Sequence, residues 1–173
     1  MRLHNHLELM PSAETRAVTA RVSRQFCATI EWVFDAWLDP VIAGSFLFAT
    51  DAGEVVQADI DARIGGRFGF VRRENGTEIR RVGRYVSIDR PHLLTFSLSD
   101  SSRTLTHDRV IIELASVGMG SLLVLTHEMG LESYAERHRV ESVWKRRLGM
   151  LAFLCPTPRS GDSCLAQRSM TLG

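Results

Sequence analysis

From Glu54 to Glu128 apolar and polar residues alternate with a period close to two, and a single helical stripe follows. Such alternation marks strands that bury one face and wet the other. Turn signals break the run at Gly65-Gly66, Asn75-Gly76, Arg90-Pro91, Asp100-Ser101 and Gly118-Met119-Gly120, which divides it into about six antiparallel strands at hairpin spacing. The stripe is Val140, Trp144, Leu148 and Leu151, with Ser133-x-x-Glu136 read as a capping box before it and Pro156 after it. A helix from Tyr134 to Cys155 would be roughly 33 Å long, enough to cross the sheet.

The segment before the strands completes the pattern. Val18, Ala20, Val22 and Phe26 alternate as a first strand, with Arg24 the odd member of that face. Thr29 is an N-cap, and Ile30, Val33, Phe34 and Trp37 follow at i, i+3, i+4 and i+7. Pro40 ends that helix and admits a second short one from Val41 to Phe46. The expected order is β-α-α-β6-α, an α+β fold with the sheet wrapped around the closing helix. The domain is expected over 18–155, between an N-terminal tail (1–17) and a disordered C-terminal tail (156–173) rich in Pro, Ser and Gly.

Composition excludes several partners. The 173 residues carry a formal net charge of +1, with basic residues spread along the chain and Lys145 the only lysine, so no basic patch points to nucleic acid. No apolar run approaches the roughly 18 residues of a membrane span, and the first sixteen residues lack a signal-like apolar stretch. Cys27, Cys155 and Cys164 make no C-x-x-C pair and no disulfide framework, which suits a reducing cytoplasm. There is no G-x-S-x-G, P-loop, G-x-G-x-x-G or H-E-x-x-H motif, and His4 and His6 lack a third metal ligand. Neither a metal, a cofactor nor a catalytic residue is expected.

These blocks resemble a known family. Phe26-x-Ala28, Val33-Phe34-Asp35-Ala36-Trp37-x-Asp39-Pro40, Gly65-Gly66-Arg67-Phe68, Gly83-x-Tyr85, Asp89-x-Pro91-x-x-Leu94-x-Phe96 and Leu123-x-Leu125-Thr126-His127-Glu128 occur in order. Together with a Trp in the closing helix they are similar to the START-like (SRPBCC) superfamily, in the branch of the activator of heat-shock protein 90 ATPase. The resemblance covers about Val18 to Leu154 and implies a helix-grip (START-like, Bet v-like) fold with a cavity between sheet and C-terminal helix. The chain departs from it at Gly44-Ser45-Phe46, where the branch carries an aromatic pair, and at Cys27 and Thr29.

Strand register nominates the lining. A two-residue turn at Asn75-Gly76 pairs Glu74 with Thr77, Phe70 with Arg81, Phe68 with Gly83 and Gly66 with Tyr85. Phe68, Phe70 and Tyr85 then face inward, with Arg72 and Arg81 toward the mouth and space expected at Gly83. Leu123, Leu125 and His127 share parity, so the imidazole points inward, while His107-Asp108 reads as a turn and His138 as surface or rim. The candidate ligand-binding set is Trp37, Phe68, Phe70, Arg81, Tyr85, Phe96, Leu98, His127, Trp144 and Leu148; the aromatics would serve equally as plain core. The expected function is non-catalytic binding of a small hydrophobic or amphipathic ligand. The alternatives are a polyketide cyclase or aromatase-like enzyme and a protein-interaction module, with a co-chaperone-like or regulatory partner or a homodimer.

Overall fold

A computed structural model describes residues 18–48, 53–100, 108–130 and 135–156. The elements run β1 (Val18–Phe26), α1 (Ile30–Asp35), α2 (Pro40–Ala43), a π-helical turn (Gly44–Phe48), β2 (Gly53–Ile60), β3 (Arg67–Glu74), β4 (Thr77–Asp89), β5 (Leu93–Asp100), β6 (Asp108–Val117), β7 (Gly120–Met129) and α3 (Arg137–Leu154). The seven strands form one antiparallel sheet in the order β1-β7-β6-β5-β4-β3-β2. The fold is therefore the helix-grip α+β fold, with a meander from β2 to β7 and β1 added at its far edge.

Local chemistry explains the elements. The Thr29 hydroxyl accepts from the Trp32 N–H at the start of α1, and the Asp39 carboxylate accepts from the Val41 and Ile42 N–H groups at the start of α2. Pro40 occupies the first helical position, where its missing N–H costs nothing. The expected second helix is thus a single α turn that passes into a π turn. The β3–β4 hairpin closes through Asn75 and Gly76, both at positive φ (51° and 78°), in the geometry that suits strand twist. Its register is the expected one, Glu74 opposite Thr77 and Phe68 opposite Gly83, with the Tyr85 N–H donating to the Gly66 carbonyl at 2.9 Å.

Three expectations change. Gly83 leaves no free space: a Cβ there would lie 2.2 Å from Phe68 Cζ, so the Phe68 ring already lies across the glycine. The described part of α3 begins at Arg137, and the Glu136 side chain makes no capping hydrogen bond to its first turn; Ser133 and Tyr134 lie outside the described residues. Cys27 is disulfide-bonded, while Cys155 is a free thiol. The disulfide at Cys27 departs from the expectation of no disulfide framework, which had supported the cytoplasmic reading. The two tails, the Ser101 side of the Asp100-Ser101 turn, His4, His6 and His107 also lie outside the described residues.

The concave face of the sheet and the helices enclose one main core, from Val22 and Phe26 on β1 through Val110, Ile112 and Leu114 on β6 to Trp144, Leu148 and Leu151 on α3. The resemblance blocks at Asp35 and Arg90 are joined here. The Arg90 guanidinium forks onto both Asp35 carboxylate oxygens at 2.7 and 2.8 Å, and this holds the Asp35 carboxyl below its ordinary range. Arg24, the polar member of the inward face of β1, reaches past α3 where Gly149 offers no side chain. No helix is long and apolar enough to cross a membrane among the described residues.

Candidate ligand-binding site

Most of the sequence-nominated residues pack on one another. Trp37 meets Phe46 edge-on at 5.0 Å and lies 6.2 Å from both Phe96 and Trp144. Phe68 meets Tyr85 at 5.2 Å and Phe96 at 5.4 Å, and Phe70 meets Phe48 at 4.8 Å. These rings, with Leu148, are all buried in the main core. Burial pushes the Tyr85 phenol well above its usual range. The deep end between sheet and helix is thus filled by aromatic side chains.

Open space lies toward the mouth. A cavity of about 280 Å³ separates the first turns of α3 from the ends of β4 to β7. Arg81, Leu98, Ser99, Asp108 and His127 form its floor, and Phe48 lies at one end. Glu136, Arg139, Val140, Val143, Trp144 and Arg147 form its roof. Four of the nominated residues, Arg81, Leu98, His127 and Trp144, therefore come together here; Trp37, Phe68, Phe70, Tyr85, Phe96 and Leu148 do not reach it.

His127 is one polar residue of the wall. Trp144 Nε1 donates to His127 Nδ1 at 2.9 Å, and because an indole N–H can only donate, the neutral imidazole carries its proton on Nε2. Nε2 lies 3.2 Å from Asp108 Oδ2, yet without the alignment of a hydrogen bond, which leaves a buried donor unmet. Asp108 was read as a turn residue. Its parity with Val110, Ile112 and Leu114, all inward, was the signal that places it beside His127.

Arg147 is another polar residue of the wall. Its guanidinium lies 5.2 Å from the Phe48 ring and 4.8 Å from the Trp144 ring. Burial first, and then repulsion from Arg81, Arg146 and Arg72, pushes it down to about 10. Sequence reasoning passed over this residue, although 140, 144, 147 and 151 keep the spacing of one helical face. Arg72 points the same way but is engaged, pairing with Glu74 at 2.6 Å. His138 is exposed beside Glu141, so of its two readings the surface one holds. No cluster of three His, Cys, Asp or Glu side chains suited to a metal occurs among the described residues.

A seven-stranded antiparallel sheet gripping one C-terminal helix, with a cavity at their mouth, defines the START-like class of helix-grip proteins. Within it, the chain belongs to the family described as activator of Hsp90 ATPase homolog 1-like protein, whose model matches residues 27–154. Protein CV1439 from Chromobacterium violaceum has a similar structure, with 22% identity, a TM-score of 0.72 and coverage of 80% of this chain and 98% of that one. The AHSA1-like protein from Aeromonas hydrophila follows at 18% identity and a TM-score of 0.68, covering 79% and 90%. CalU16 from Micromonospora echinospora shares 21% identity at a TM-score of 0.55, covering 80% and 83%. No protein of curated function matches the sequence. At these identities the likeness establishes the fold.

Proposed function

We propose that this protein binds a small amphipathic molecule at the mouth of the grip, between α3 and the ends of β4 to β7, without catalysing its conversion. The observation that carries this reading is the 280 Å³ cavity, lined by the apolar Trp144, Val140, Val143 and Leu98 and by the polar His127, Asp108 and Arg147. Its size is near the lower limit of roughly 300–1,000 Å³ usual for ligand sites, which favours a compact occupant. Apolar contact would supply affinity at about 25 cal/mol per Å² before ordering costs, and the polar side chains would set orientation.

His127 supports a binding role over an acid–base one. One ring nitrogen accepts from Trp144 and the other faces Asp108, so the imidazole serves to hold the wall. Native mass spectrometry of the freshly purified chain, followed by organic extraction, tests the reading. The expected result is an added mass that extracts as a small organic compound, or a thermal shift with members of an amphipath panel. Val143→Trp, which would fill the cavity, should abolish either signal while the chain stays folded. Signals that survive Val143→Trp would refute this site.

A further inference from the structure

We infer that the ligand is an organic carboxylate, its apolar body against Trp144 and its carboxylate bound by Arg147. The inference rests on the ligand-binding reading above and names the chemical class that site takes.

Arg147 presents the geometry. It is half-buried under α3 and lines the cavity between the Phe48 and Trp144 rings. Those rings offer their π faces to the guanidinium plane, but they accept none of its five N–H donors. Among the described residues Arg147 makes no hydrogen bond or ion pair. Like charges surround it instead, with Arg81 on the floor and Arg72 and Arg146 near enough to depress its basicity. A planar cation so placed is short of an acceptor, and a carboxylate meets its fork with two parallel hydrogen bonds.

The His127 and Asp108 side chains set the ligand's direction. Asp108 and Glu136 are the acidic groups of the lining, and Asp108 stands beside His127, at the indole N–H edge of Trp144, whereas Arg147 lies over its ring face. A carboxylate placed there would meet Asp108 as a like charge. His127 Nε2, more than nine-tenths buried and without a hydrogen bond, suits a neutral acceptor on the other end of the ligand.

The test compares octanoate with octan-1-ol, matched chains that differ in charge, by isothermal titration. The native chain should bind octanoate about tenfold to a hundredfold more tightly, the range of a charge-assisted fork. Arg147→Met, which keeps a long side chain between the two rings, should bring octanoate to the level of octanol and leave octanol unchanged. Arg147→Lys should recover part of the difference. Equal binding of both probes by the native chain overturns the carboxylate inference and leaves the cavity reading standing. Binding of neither probe overturns both. Should Arg147→Met fail to fold, the native chain still decides: octanoate affinity falls with added salt while octanol affinity does not, and a salt-independent octanoate affinity overturns the inference.

Discussion

The Trp144–His127 hydrogen bond lets one residue serve both core and site. Trp144 fills the roof of the aromatic core, and its indole N–H fixes the tautomer of His127 from inside the protein. Replacing it with Phe keeps most of the packing and strips Nδ1 of its donor. Trp144→Phe should therefore cost about 1–3 kcal/mol in urea unfolding, because a buried acceptor is left unmet. The nitrogen-15 spectrum of His127 should show the Nε2-protonated tautomer in the native chain and lose that preference in the variant. A variant as stable as the native chain would mean that water satisfies the imidazole instead.

At the scale of elements, the sheet is held close by its glycines as much as by its apolar residues. Gly83 on β4 lets the Phe68 ring of β3 lie flat across it, and Ser97 O of β5 lies on its other side, 2.2 Å from where a Cβ would stand. A flexible side chain could move aside, but a neighbouring backbone carbonyl cannot. Gly83→Val should thus destabilise at the upper end of the roughly 1–3 kcal/mol usual for overpacking, measured by chemical denaturation. A loss below about 0.5 kcal/mol would mean that β4 and β5 can part without harm. The Arg90–Asp35 fork plays the complementary role, tying the β4–β5 turn to α1 across 55 residues of sequence.

At the scale of the whole molecule, burial of Tyr85 couples stability to alkaline pH. An unfolded tyrosine ionises near pH 10, while the buried phenol, its value raised by desolvation, holds its proton beyond that point. The unfolded chain then binds fewer protons than the native one, so stability must fall as pH rises above about 10 and is unaffected by this group below it. Phenolate absorbance should show Tyr85 ionising only as the chain unfolds, at the pH where circular dichroism is lost. Ionisation of both tyrosines of the chain near pH 10 with the fold intact would mean that the core is open to water at Tyr85.

The order β-α-α-β6-α, the register of the β3–β4 hairpin and the inward parity of His127 were all legible in the sequence. Each follows from a local rule: period-two burial, the positive φ that Asn75 and Gly76 accept, and caps at Thr29 and Asp39. Where the interior is full and where it is open was not legible. Parity assigns Phe68, Phe70, Tyr85 and Phe96 to the concave face, yet whether rings on one face meet or leave a gap depends on distances across strands and helix. Gly83 shows the difference, since a missing side chain reads as space until a ring from the next strand is seen to occupy it. Arg147 drew no reading and Asp108 read as a turn, because a local pattern treats charge as surface. Only the packing of α3 over the ends of β4 to β7 brings these charges into the lining of one cavity, and tertiary contact alone could decide that.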